Sequence, residues 1–415
     1  MPPLTLDARD TLYVARQPIL DAAGRVFAYE LLYRAEVEDQ ESLSADHAAA
    51  RVLTDGVINV GLDVLTGGRP AFVNLTRSLL VGDVAKLLPT GTAVFELHSD
   101  IEVDEPVVMA CRQLHEAGHS LALSDFVLGT PRDALLPYAR FVKADTRTVS
   151  RLQLVELIDR LRTSGIRVIA ENVEDAALYD LAHDAGCRLF QGHYFCLPKE
   201  CGAAALPARP IAYVQLLSAL NRPGLSLGDV ENLIKHDVSL SYRVLRCINS
   251  AAFGMRQEVH SIRQALVLMG LAPIRRWASV WCLAGLNTGG ASELVTVALV
   301  RGRSCEVLAE RLMNADQAAE MFLVGLCSVL DAMLGRPMGD ALEGLPLSTD
   351  ARDALLGQPN AERSLLEAVI AHERGEWLGA EDAATRAGVS GRQLAEAYTE
   401  ALAWARDLNQ AATRA

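Results

Sequence analysis

Phe27-Ala28-Tyr29-Glu30-Leu31-Leu32-Tyr33-Arg34 is a short apolar and aromatic run that carries a carboxylate near its C-terminal end. Its composition reads as a β-strand. Working outward, similar β-rich runs occur at 71–76 (AFVNLT), 93–98 (AVFELH), 121–126 (LALSDF), 141–145 (FVKAD), 168–173 (VIAENV) and 189–195 (LFQGHYF). An earlier run, VARQPIL at 14–20, supplies an eighth. Amphipathic helical patterns at 46–61, 105–118 and 148–165 lie between them, the last two closing on Gly118 and Gly165. This alternation predicts a parallel α/β architecture, and eight strands suffice for a TIM-like (β/α)8 barrel. Polar residues fall at matching places: Glu30, Asn74, Glu96, Asp125, Lys143, Glu171 and Gln191 each sit in or just after an apolar run. In an α/β barrel the C-terminal strand ends converge on one face, where active sites lie.

After Pro198 the pattern changes. ECGAAALPARP at 200–210 reads as a linker, and from Ile211 to about 409 the periodicity is helical throughout. At 415 residues the chain is long enough for two or three domains. The expected fold is therefore an α/β barrel over about 10–200 followed by an all-α domain over about 206–408. A net charge of −13 argues against a phosphate-backbone-binding surface, so no nucleic-acid partner is expected. The eight cysteines form no CxxC pair and mostly sit in apolar segments, as reduced core residues do. No secretory leader is visible at the N-terminus. The most apolar later segment, Met321 to Leu334, contains Asp331 and falls short of the roughly 18 apolar residues of a membrane span. A soluble, cytoplasmic protein with no membrane partner is expected.

Glu30-Leu31-Leu32-Tyr33-Arg34 resembles the E-x-L-x-R signature of EAL domains, and FVNLT resembles the asparagine strand that follows it. Glu96, Ser124-Asp125, Lys143-Ala144-Asp145, Ala170-Glu171-Asn172-Val173-Glu174 and Gln191-Gly192 occur in the order of that family's later motifs. The resemblance implies a bacterial protein acting on cyclic di-GMP, with Mg2+ or Mn2+ as cofactor. It implies Glu30, Asn74, Glu96, Asp125 and Glu171 as metal ligands, Lys143 beside the attacking water, Gln191 orienting the site, and Arg34 on a ligand phosphate. In the second half, Asp237-Val238-Ser239-Leu240-Ser241 and Ile248-Asn249-Ser250-Ala251-Ala252-Phe253-Gly254, followed by SIRQALVLMG, resemble the HDOD domain, an HD-like helical module. That likeness implies a protein partner and a regulatory role; oligomerisation stays open.

Three departures set this chain apart from active EAL enzymes. Ser124 stands where the family has the first of two aspartates, the one that bridges two cations, so metal binding should be weakened. The glycine- and serine-rich loop that follows is replaced by Val127-Leu128-Gly129-Thr130-Pro131-Arg132. Ser99 takes the place of a family glutamate and Asn172 that of a family glycine. The favoured reading is a regulator whose degenerate barrel binds cyclic di-GMP or a protein partner, with the HDOD module as output. The alternative is an active phosphodiesterase releasing the linear dinucleotide, with Lys143 and Glu171 catalytic. Two other motifs are set aside. His115-Glu116-Ala117-Gly118-His119 fits HExxH, but Gly118 reads as a helix end, so the histidines should not converge on zinc. His236-Asp237 mimics an HD dyad without suitably spaced partners.

Overall fold

A computed structural model of the chain describes residues 13–34, 62–82, 90–91, 93–192, 194, 224, 226–235, 261–270, 292–342 and 347–413. The chain divides into two compact units, one holding Met1–Leu197 with Ile370–Glu381 and Gly391–Thr399, the other Pro198–Val369 with Asp382–Ser390 and Glu400–Ala415.

The first unit is built on a closed barrel of eight strands in sequence order. They are β1 (Tyr13–Asp21), β2 (Val26–Arg34), β3 (Ala71–Leu75), β4 (Ala93–Leu97), β5 (Ser120–Leu123), β6 (Ala139–Asp145), β7 (Arg167–Glu171) and β8 (Leu189–Gln191). The expectation of an all-parallel barrel needs one correction: β1 runs antiparallel to both β2 and β8. The reason is local. Asp21 Oδ1 accepts from the Ala23 and Arg25 amides, and Gly24 takes φ +73°, making a turn too short for the helical crossover that parallel neighbours require.

The barrel interior is layered by the two-residue period of the strands. Ile19, Ala28, Phe72, Val94, Ala122, Phe141, Ile169 and Leu189, one from each strand, form a buried apolar cluster. Side chains two positions along point to the same face. That step leads from Ala28 to Glu30, Phe72 to Asn74, Val94 to Glu96, Ala122 to Ser124, Phe141 to Lys143, Ile169 to Glu171 and Leu189 to Gln191. On antiparallel β1 the step runs backward, from Ile19 to Gln17. One apolar layer thus supports one polar layer directly above it.

Helices of the first unit are capped where the sequence changes character. Asp104 caps Glu105–Glu116 through the Val107 amide, Ser150 and Gln153 form a capping box on Arg151–Leu161, and Asp175 caps Ala176–Ala185. Two C-terminal stretches also belong to this unit. His372 contacts the Val14 carbonyl, and Gly375 and Gly391 lie against Leu32 and Tyr13.

The second unit is helical throughout its described residues, with Leu227–Lys235, Ile262–Met269, Ser292–Ala309 and Ala315–Cys327 among its elements. Ser292–Ala309 and Ala315–Cys327 pack at glycines: a Cβ on Gly325 would stand 2.5 Å from the Arg301 carbonyl oxygen and 2.7 Å from the Gly302 Cα, so no larger residue fits. The expected linker at 200–210, the HDOD motif at 237–254 and the His236-Asp237 pair lie outside the described residues. No helix among the described residues is long and apolar enough to cross a membrane. Cys111, Cys187, Cys305 and Cys327 are buried.

Candidate functional site

Six of the seven residues singled out by strand position stand in the inward polar layer, and the seventh, Asp125, is just beyond it. Lys143 is at the centre. Its Nζ lies 2.7 Å from Glu30 Oε2, 2.7 Å from Glu96 Oε1 and 3.2 Å from Glu171 Oε2. All four groups are buried. Asn74 Nδ2 donates to Glu30 Oε1 at 3.0 Å, and Gln191 Nε2 donates to Glu30 Oε2 at 2.7 Å and to Gln17 Oε1 at 2.8 Å. Ser124 Oγ donates to Glu96 Oε1. The Tyr33 hydroxyl donates to the Asn74 carbonyl, fixing the backbone that carries that amide.

The ionisation of the cluster follows from this crowding. Burial raises the Glu30 pKa, but Lys143, Gln191 and Asn74 together more than offset it, leaving Glu30 below the usual carboxylate range. Burial and the neighbouring Glu30 push Glu96 up, against Lys143 and Ser124. Glu171 is raised to about 8, by burial first and then by Glu96 and Asp125, against the pull of Lys143. Burial alone would lower the Lys143 pKa, yet Glu30, Glu96 and Glu171 hold it well above its ordinary value.

Asp125 has left-handed backbone, φ +46°, and Ser99 Oγ donates to its Oδ2 at 3.1 Å. The serine that replaces a family glutamate is thus joined to a candidate ligand. Asn172 is also left-handed, at φ +56°, a conformation asparagine tolerates better than most residues, so the loss of glycine there keeps the chain path. Gly192 could not be exchanged in the same way: a Cβ there would lie 2.1 Å from the Val173 carbonyl oxygen. Arg34 ends β2.

Gln17 escaped the sequence reading, although counting back two from Ile19 would have found it. Arg132 escaped it as well. The HExxH pattern dissolves as expected: the helix ends at Glu116, Gly118 takes φ +87°, the His115 ring faces Tyr138 and the His119 ring faces Phe95.

Among the described residues no group of three or more His, Cys, Asp and Glu stands ready as a metal-binding set, the carboxylates converging instead on the Lys143 ammonium. The donor chemistry nevertheless suits a hard cation. Asn74 Oδ1, Glu96 Oε2 and Gln191 Oε1 are buried oxygens without a hydrogen-bond partner, costly unless water or an ion serves them.

Comparison with known proteins agrees with this architecture. An EAL domain is matched over residues 5–198 and an HDOD domain over residues 206–333. The uncharacterized protein YuxH of Bacillus subtilis strain 168 is 31% identical over 411 residues, covering 96% of this chain and 99% of that protein. This chain belongs to the EAL–HDOD family. A second relative of this EAL–HDOD protein, the cyclic di-GMP phosphodiesterase CdgJ of Vibrio cholerae serotype O1, is 28% identical over 97% of this chain and 94% of its own length. Among solved structures, a manganese/cyclic di-GMP complex of BlrP1 from Klebsiella pneumoniae aligns with a TM-score of 0.39 at 23% identity, over 46% of this chain and 57% of that one. The EAL domain of Mycobacterium smegmatis DcpA aligns with a TM-score of 0.36 at 21% identity, over 44% and 90%.

Proposed function

We propose that this EAL–HDOD protein is a cyclic di-GMP-responsive regulator: its barrel binds the dinucleotide at the polar layer and hydrolyses it slowly or not at all, and its HDOD domain engages a protein partner. The observation that carries this reading is the hydrogen bond from Ser124 to Glu96. At position 124 a carboxylate would bring a charge and two lone-pair-rich oxygens to the inward layer. The hydroxyl brings neither, and it takes up one oxygen of Glu96 as well.

Glu30, Asn74, Glu96, Asp125 and Glu171 would hold a divalent cation, Mg2+ or Mn2+ by ligand type. Such an ion, when bound, polarises phosphoryl oxygens and acidifies water. The protein's own groups do the rest. Lys143 offers a fixed positive charge at the floor of the site, Gln191 and Asn74 hold Glu30 in one orientation, and Arg34 would, by the family resemblance, meet a phosphate of the ligand. The barrel domain at 10–200 and the HDOD domain at 206–408 would then act as sensor and output.

The second reading, an active phosphodiesterase with Lys143 and Glu171 catalytic, is favoured by the near-complete ligand set and by the resemblance to CdgJ. Calorimetric titration with cyclic di-GMP, with and without Mn2+, followed by product analysis of the same mixture, separates the two. Binding with little linear product is expected. Ser124→Asp should tighten Mn2+ binding by about tenfold, equivalent to ~1.4 kcal/mol. Rapid Mn2+-dependent turnover by the unaltered protein would overturn the regulator reading.

A further inference from the structure

The replaced loop after β5 carries a buried cation outside the polar layer, Arg132. Arg132 opens the short 3-10 helix Pro131–Tyr138 and is only 8% exposed. Its guanidinium points back beneath the mouth. Nη1 donates to the His98 carbonyl at 2.6 Å, and Nη2 donates to the Leu97 carbonyl at 2.8 Å and to the Ser124 carbonyl at 3.3 Å. These carbonyls terminate the two strands that bear Glu96 and Ser124. The Leu97 carbonyl also accepts from the Ser124 amide at 3.1 Å, so one side chain and one amide meet at the same seam.

The loop is braced to deliver that side chain. Gly129 takes φ +80° and its amide donates to Asp133 Oδ2 at 3.1 Å, while Thr130 Oγ1 donates to the Val127 carbonyl at 3.0 Å. On the far side of Asp125, the Phe126 amide donates to the Lys143 carbonyl at 2.9 Å, and the Phe126 ring is fully buried. Asp125 therefore holds its left-handed backbone between two anchored neighbours. A non-glycine residue stays in that region only where its surroundings over-determine it. Arg132 is the part of those surroundings that ties the β4 exit to the β5 exit.

We propose that Arg132 is a positioning residue: through its three-carbonyl fork it sets the separation of Glu96 and Asp125, and so the affinity of the mouth for a divalent cation and for cyclic di-GMP. The second half of this statement rests on the proposed function; the first does not. A guanidinium is suited to the task because its donors are held in a rigid planar fork, whereas the three donors of an ammonium turn on a flexible stem and fix no spacing between the carbonyls.

The test uses the full chain with Arg132→Met and Arg132→Lys. Hydrogen exchange is read on peptides spanning 94–101 and 120–127, with peptides of β7 and β8 as internal reference, and Mn2+ and cyclic di-GMP affinities are read by titration. Arg132→Met should lose protection at the Ser124 amide and weaken Mn2+ binding by about tenfold or more, the usual cost of removing a group that orients a ligand. Arg132→Lys should recover part of both. Should Arg132→Met not fold, Arg132→Lys alone decides by whether exchange rises locally. Unchanged exchange at 120–127, or a rise spread evenly through β7 and β8, overturns the positioning role. If the unaltered protein binds neither Mn2+ nor cyclic di-GMP, the proposed function fails while the exchange result still decides the role of Arg132.

Discussion

Replacing Lys143 by methionine should destabilise the barrel unit by about 3–5 kcal/mol at neutral pH, the range for breaking a buried ion pair from one side. The ammonium is the shared partner of Glu30, Glu96 and Glu171, and Lys143 and Glu96 have almost no solvent to fall back on. Methionine fills much of the space but leaves the carboxylates facing one another. The loss should depend on pH with a definite sign. In the intact protein Glu30 titrates below its unfolded value, so its contribution is present above the ordinary carboxylate range and lost as pH falls through the folded value. Without Lys143 the same burial raises Glu30, and protonation then relieves the variant. The gap between the two proteins should therefore be widest near neutrality and narrow toward about pH 4. Urea unfolding of both proteins across that range is the measurement. Mn2+ should restore part of the loss if the freed carboxylates accept a cation. A deficit under about 1 kcal/mol at neutral pH, or one independent of pH, would contradict the arrangement described.

A second large effect should come from His372. It is almost completely buried, its Nε2 lies 3.2 Å from the Val14 carbonyl, and its ring meets Trp377 and Tyr398 at centroid distances of 5.2 and 4.9 Å. The carbonyl can only accept, so Nε2 carries the proton of a neutral imidazole. Burial lowers the pKa to about 4, against 6.5 for a free side chain. The folded state refuses a proton that the unfolded chain takes up below 6.5, so stability should fall as pH drops from there to about 4, by about 3 kcal/mol in all. His372→Leu removes the titration at the cost of one hydrogen bond, about 1 kcal/mol. The variant should be less stable near neutrality and should lack this part of the acid slope. Equal slopes for the two proteins would show that His372 does not control it. Because His372 joins a C-terminal stretch to β1, exchange at 370–381 should rise first on acidification.

Most of the inward polar layer is legible in the sequence alone. A polar residue two positions beyond an apolar one on a strand shares its face wherever the strand ends up, so Glu30, Asn74, Glu96, Lys143, Glu171 and Gln191 declared a common layer through local geometry alone. The order of motifs and the change to helical periodicity after Pro198 were likewise properties of the chain read in one dimension. Gln17 obeyed the same period but sits on the strand that runs the other way, and sequence spacing carries no strand direction. What the tertiary structure decided concerns partners far apart in the chain. Lys143 meets Glu30 across 113 residues and Glu96 across 47, and Arg132 reaches back 34 to His98. His372 finds Val14 across 358. No local rule fixes such meetings: they depend on barrel closure, strand stagger and the way C-terminal stretches join the barrel unit. The pKa of Glu171 and the backbone of Asp125 follow from those meetings, because burial and charge proximity exist only once the strands have closed.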